Sequence, residues 1–265
     1  MTSNTTVRSI PVRHRAPGSS TAVTAPGELA RCNTVCANCN LRELCAPCCK
    51  LSGPEREIAE RLPFTRIRVR RGEYLYRAGD RFSALYAVRK GFFKSLAMIE
   101  NGREQVTGFS MAGEVLGLDG IAPEHYGGNA VALEDGEVCA IAFPGLLALT
   151  RELPSLQGQF YRMMSREIAR EQGMMLQLGS MNAEERLAMF LLNLSRRYAA
   201  RGDSASEFHL RMTREEIGSY LGLKLETISR TLSRFHEQGL IAVQQKFVRI
   251  LDHVGLEGVL RRELG

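Results

Sequence analysis

The stretch from Thr213 to Gly239, T-R-E-E-I-G-S-Y-L-G-L-K-L-E-T-I-S-R-T-L-S-R-F-H-E-Q-G, constrains the fold more than any other part of the chain. Thr213 and Glu216 have the spacing of a capping box, in which each side chain satisfies the other residue's backbone N–H at a helix start. Gly222 and Leu223 end that short helix in a tight turn. A second helix then runs to Gly239, a residue suited to the left-handed conformation that closes helices. Two helices joined by a short glycine-containing turn form a helix-turn-helix. Leu240-Ile241-Ala242-Val243 and Phe247-Val248-Arg249-Ile250, separated by Gln244-Gln245-Lys246, read as a hairpin that forms a wing. The second helix offers Glu226, Ser229 and Arg230 on its first exposed turns, where a recognition helix meets base edges. Arginine can grip guanine through two hydrogen bonds, and glutamate can accept from the amino group of cytosine. Thr213 at the head of the first helix and Lys246 in the wing turn complete the set expected to face double-stranded DNA. The plain alternative is an αα-hairpin with a solvated polar face, and the wing counts against it.

Upstream the texture changes. From Phe64 to Phe143, short β-rich runs such as Tyr74-Leu75-Tyr76 and Leu85-Tyr86-Ala87-Val88 alternate with turn signals. These fall at Arg71-Gly72, Gly79-Asp80, Lys90-Gly91, Asn101-Gly102 and Gly113-Glu114. Turns at that spacing predict an all-β sandwich or roll. Pro154 opens a helical pattern that continues to about Leu178. Within it Met164, Ile168, Glu171, Met175 and Leu178 follow the spacing of a coiled-coil seam. Ordinary core packing uses the same spacing, and Glu171 is a residue that a permanently buried seam would avoid. Residues 1–31 mix Ser, Thr, Pro, Gly and Arg with no hydrophobic period and read as a disordered tail. A length of 265 residues suits about two domains, each with its own core.

Six of the seven cysteines lie between Cys32 and Cys49, in C-N-T-V-C-A-N-C-N-L-R-E-L-C-A-P-C-C. The chain opens with polar residues and has no apolar run of signal-peptide or membrane-spanning length, so a reducing, cytoplasmic setting without disulfides is expected. Thiolate ligation of zinc or of an iron–sulfur cluster then leads. Cys36 and Cys39 form a C-x-x-C pair, and Cys45 follows. Cys48 and Cys49 are adjacent and point poorly at a common centre. Structural zinc usually takes two spaced pairs, or one pair plus two histidines, and neither arrangement is clean here. Three irregularly spaced cysteines with a distant fourth suit the cuboidal iron–sulfur cluster better. The distant cysteine is Cys139, in the alternating run V-C-A-I-A-F, which on burial grounds alone reads as inert core. A net charge of +6 permits an anionic partner without requiring one. No phosphate-binding G-x-x-x-x-G-K-[ST], H-E-x-x-H or nucleophile elbow occurs, so no enzyme is expected.

These residues resemble a known family. From about Cys32 onward the chain is similar to the FNR branch of the CRP/FNR transcription regulators. The likeness rests on N-A-E-E-R-L-A at 182–188, L-S-R-R-Y at 194–198 and L-G-L-K-L-E-T-I-S-R at 221–230. It implies an α+β chain in four parts: the tail over 1–31, a cysteine-containing segment and β-roll sensor domain (cyclic-nucleotide-binding-like) over 32–153, a dimerisation helix over 154–181, and a winged helix-turn-helix over 182–265. It also implies a [4Fe-4S] cluster whose ligands fall on Cys36, Cys39, Cys45 and Cys139. A homodimer would read a palindromic DNA site through Glu226, Ser229 and Arg230. It would act at low oxygen as an activator, with RNA polymerase as its partner. Cys32, Cys48 and Cys49 receive no role. The CRP branch binds cyclic AMP, and Gly113-Glu114-Val115-Leu116-Gly117 looks like the start of its phosphate cassette. That cassette next needs an arginine and a small polar residue. Here Gly127-Gly128-Asn129-Ala130 offers neither cation nor hydroxyl, so no cyclic nucleotide is expected. A constitutive DNA-binding regulator with structural zinc is the alternative reading.

Overall fold

Alternation along each strand divides its side chains between two faces, and in the first half of the chain both faces are covered. In β3 (Ala84–Lys90), Ala84, Tyr86 and Val88 enter one core cluster while Leu85 and Ala87 enter another. The computed structural model describes residues 64–98 and 102–261. The tail expected over 1–31 and Cys32, Cys36, Cys39, Cys45, Cys48 and Cys49 lie outside these residues. One antiparallel sheet has the order β1 (Phe64–Val69), β8 (Gly136–Ala142), β3, β6 (Val115–Leu116). The other has the order β2 (Tyr74–Tyr76), β7 (Asn129–Ala132), β4 (Phe92–Met98), β5 (Glu104–Met111). Between them Val88, Phe93, Ala130, Ala132 and Val138 pack with a group of tyrosines. Tyr76 stacks on Tyr126 with ring centroids 4.0 Å apart. This is the expected roll.

The outer face of the first sheet carries helices. Leu85, Ala87, Cys139 and Ile141 pack against Leu146 and Leu149 of α1 (Phe143–Glu152) and Leu156 and Met163 of α2 (Pro154–Ser180). Past Met163 the long helix leaves that shelter. Ile168, Met175 and Leu176 are 51%, 72% and 70% exposed. Such exposure of large apolar side chains on one chain marks a surface built to be covered.

The outer face of the second sheet carries the C-terminal half. Phe92, Leu96, Val106, Phe109 and Met111 form one continuous core with Leu187, Leu191 and Leu194 of α3 (Ala183–Ala199) and Ile217 and Leu221 of α4 (Arg214–Leu221). After α4 come α5 (Leu225–Glu237), the hairpin β10 (Ile241–Gln244) and β11 (Phe247–Ile250), and α6 (His253–Val259). A short β9 (Glu207–His209) joins the wing as its third strand, in the order β10-β11-β9. Asn182 and Glu185 form a capping box that restarts the chain as α3 immediately after α2 ends. Arg186 spans that joint. Its Nε and Nη2 donate to the carbonyls of Met181 and Leu178, both at 2.8 Å, and its Nη1 donates to Leu221 at 3.0 Å. One guanidinium thus satisfies open carbonyls at the ends of two helices, α2 and α4. Among the described residues no helix is long and apolar enough to cross a membrane.

Candidate nucleic-acid interface

The capping box expected at Thr213 is present. The Thr213 hydroxyl accepts from Glu216 N at 3.1 Å, and the Glu216 carboxylate accepts from Thr213 N at 2.7 Å. Gly222 ends α4 at φ +65°, a left-handed conformation that costs other residues more. The turn is close enough to need a second glycine. A Cβ on Gly218 would stand 2.6 Å from the carbonyl oxygen of Leu223. These two glycines set the crossing of α4 and α5.

On α5, Ile228, Thr231, Leu232 and Phe235 are buried. The opposite face presents Glu226 and Arg230 to solvent, with Ser229 half-buried between them. Spacings of three and four residues place all three on one side of the helix. No side chain caps the start of α5, where Lys224 is the N-cap residue, so its first N–H groups face outward. Leu225, the first helical residue, is 45% exposed. In the wing, Gln245 turns the hairpin at φ +55°. Lys246 is exposed beside it, with Nζ 3.4 Å from the carbonyl oxygen of Arg211. The structure therefore brings Thr213, Glu226, Ser229, Arg230 and Lys246 to one domain, each open or partly open to solvent.

One residue of this face is absent from the sequence reading. Arg214, the first residue of α4, donates from Nη1 to the Ser229 hydroxyl at 3.2 Å. It links the two helices and holds the hydroxyl in place. A signal was available, since a cation in a first helical turn opposes the helix dipole and needs another reason to be there.

Glu216 has a second partner across the molecule. Lys94 Nζ, on β4, donates to Glu216 Oε1 at 2.8 Å. Burial raises the Glu216 carboxyl, but Lys94 and the Thr213 backbone and hydroxyl outweigh it and hold the group below the usual carboxylate range. Nearby, the Ser219 hydroxyl accepts from Val106 N at 2.9 Å and the Ser219 carbonyl accepts from the Gln105 side chain. At the other end of the contact, Arg197 on α3 grips Glu114 through Nε at 2.8 Å and Nη2 at 2.6 Å, and Nη2 reaches the Phe109 carbonyl at 2.7 Å.

Of the four cysteines expected to hold a metal, Cys139 is described. It lies on β8 between β1 and β3, opposite Arg66 and Ala87, and is 8% exposed. Its neighbour Val138 faces the roll interior, which puts Cys139 on the helix-covered side of the sheet with Leu153, Leu156 and Met163. Along the expected seam, Ile168, Glu171, Met175 and Leu178 are exposed and Met164 is half-buried.

The family models agree with this division. Residues 66–152 match the cyclic nucleotide-binding domain, and residues 185–259 match the Crp-like helix-turn-helix domain. The transcriptional regulatory protein btr of Bordetella pertussis is 48% identical over 228 residues, which cover 86% of this chain and 94% of that one. The chain belongs to the CRP/FNR family of transcription regulators. The fumarate and nitrate reduction regulatory protein of Escherichia coli is 44% identical over 225 residues, covering 85% of this chain and 90% of that one. Among solved structures, FixK2 from Bradyrhizobium japonicum superposes with a TM-score of 0.69 at 29% identity, covering 75% of this chain and 98% of that one. As a CRP/FNR protein the chain is a DNA-binding regulator and not an enzyme.

Proposed function

We propose that this regulator responds to oxygen, binding a palindromic DNA site as a homodimer when Cys36, Cys39, Cys45 and Cys139 hold a [4Fe-4S] cluster. The observation that carries the proposal is the placement of Cys139, buried in the same aliphatic shell as the head of α2. A soft thiolate on a strand fixed from both sides, in a shell that keeps water out, suits iron–sulfur ligation. The fit is judged at this ligand, since Cys36, Cys39 and Cys45 lie outside the described residues. When bound, the cluster supplies an oxygen-labile tie between the cysteine segment and β8.

The chain's own residues do the rest. Leu153, Leu156 and Met163 share their packing with Cys139, so a change at that thiol is felt where α2 begins. The exposed Ile168, Met175 and Leu178 then offer a second copy its seam. Pairing two copies sets two α5 helices on two half-sites, with Glu226, Ser229 and Arg230 facing bases. The name of the Escherichia coli relative, a regulator of fumarate and nitrate reduction, supports a role in respiration without oxygen. The Pseudomonas aeruginosa relative, named transcriptional activator protein anr, supports RNA polymerase as the partner. The setting is cytoplasmic, and no cyclic nucleotide takes part.

Each iron of the cubane needs its own thiolate. Anaerobically reconstituted Cys139→Ser should therefore lose its iron and sulfide, while Cys48→Ser should keep both. Full iron and sulfide in Cys139→Ser would remove the four-ligand assignment. A colourless parent with stoichiometric zinc would replace the cluster by a structural metal.

A further inference from the structure

The roll holds an anion nest that the chain fills with its own side chain. The backbone N–H groups of Gly127 and Gly128 converge on one carboxylate oxygen of Asp119, at 2.8 and 3.2 Å. Successive N–H groups aimed at one point form a binding place for an anion. Asp119 reaches it from a single 3-10 turn, Leu118–Gly120. The glycines leave the backbone bare for this contact. A Cβ on Gly128 would stand 2.6 Å from the Leu96 carbonyl oxygen, and one on Gly127 would stand 3.2 Å from the Asp119 carboxylate itself.

The surrounding polar groups are also committed internally. Asn129 Oδ1 accepts from Ala78 N at 2.8 Å, and Glu114 is held by Arg197. Asp119, Gly127, Gly128 and Asn129 line a cleft of about 350 Å³ that Glu167 and Arg170 of α2 border on the far side. Asp119, Gly127, Gly128 and Asn129 lie within residues 66–152, the segment that matches the cyclic nucleotide-binding domain.

We propose that Asp119 is the built-in ligand of this cleft, its carboxylate standing where the phosphate of a nucleotide or a free phosphate ion would bind. A carboxylate eight and nine residues from the two amides in the same loop is always at hand, so filling the nest needs no encounter with a dissolved anion. The nest is therefore closed without any small molecule, and the loop from Leu118 to Asn129 keeps its shape in every state of the protein. This goes beyond the oxygen reading and is independent of it, because it requires no cluster.

The test uses the full chain purified in air, as parent, Asp119→Ala and Asp119→Asn. Thermal unfolding is followed in chloride, in inorganic phosphate at matched ionic strength, and in chloride with adenosine cyclic monophosphate. The parent should unfold at the same temperature in all three. Asp119→Ala should unfold earlier in chloride and regain part of the loss in phosphate. A gain with the cyclic nucleotide as well assigns the opened nest to phosphate esters, and a gain with inorganic phosphate alone assigns it to the free ion. Asp119→Asn keeps an oxygen for the two amides and should stay near the parent with no response to phosphate. A parent stabilised by either anion, or an Asp119→Ala variant indifferent to both, overturns the proposal. Should Asp119→Ala not fold, amide exchange in the parent decides: slow exchange at Gly127 and Gly128 supports a closed nest, and fast exchange overturns it.

Discussion

Arg230 and Lys246 are both exposed cations on the DNA-facing domain, yet their positions ask different things of them. Arg230 sits on the outward face of α5 beside Ser229, where it is proposed to meet a base edge. Its replacement by alanine should cost about 1–3 kcal/mol per half-site and relax the preference at one base pair. Lys246 sits in the wing turn, where it is expected to touch phosphate, so Lys246→Ala should weaken all sequences alike and lower the salt slope by about one unit. Fluorescence anisotropy on matched and single-substituted sites at several salt concentrations separates the two. Equal weakening of every sequence by Arg230→Ala would remove its reading role. Glu226, Ser229 and Arg230 are legible in the sequence because helical spacing alone puts them on one face. The bond from Arg214 to Ser229 is not, because it depends on how closely the turn at Gly222 brings α4 to α5.

At the scale of elements, α2 is the helix on which the proposed pairing of two copies would turn. Its exposed Ile168 and Met175 would each contribute roughly 1.5–3 kcal/mol on full burial. Glu171 lies on the same side, exposed. Two copies of that carboxylate about 4 Å apart would repel by roughly 1 kcal/mol in water and 4 at an effective dielectric of 20, enough to offset one or two apolar side chains. Glu171→Ala should therefore move the clusterless protein from monomer toward dimer and let it bind DNA in air. Sedimentation of the aerobic variant tests this, and a variant as monomeric as the parent would clear Glu171 of the role. The helix itself is readable from its unbroken period, and it ends at Ser180, within the expected span of 154–181. Two neighbouring elements are not readable. α1 opens with Phe143-Pro144-Gly145, which resembles a turn, and its helix is secured by Leu146 and Leu149 packing on the first sheet. β9 is three residues long and exists through its pairing with β11.

Across the whole molecule, the second sheet and the DNA-binding domain share one core, with polar contacts at its edges. Lys94 and Glu216 are 122 positions apart in the chain, so no local pattern announces their pairing. Their net contribution is about 1 kcal/mol or less, because both side chains keep some contact with water. Its pH dependence has a definite sign. The folded carboxyl of Glu216 lies below its ordinary value of 4.5, so the contribution is present above that value and is lost as pH falls through the folded one. Lys94→Met should therefore lower the urea midpoint by a constant amount between about pH 6 and 8, and the difference from the parent should shrink below about pH 4. A difference that persisted unchanged in acid would mean that Lys94 acts through packing and not through Glu216.

Arg186 ties the long helix to the helix pair of the DNA-binding domain. Its flat guanidinium holds carbonyls at the end of α2 and at the end of α4, so it joins the shared core and the Lys94–Glu216 contact in setting the heading of the helix pair relative to the long helix. A pair joined along α2 then presents its two recognition helices at one separation and one angle around the DNA axis. Moving a half-site by a single base pair would swing it about 34° out of phase, since the duplex turns once in about 10.5 base pairs. In the proposed dimer, the three backbone carbonyls gathered around Arg186 would help set the length of the palindrome's spacer without touching a base.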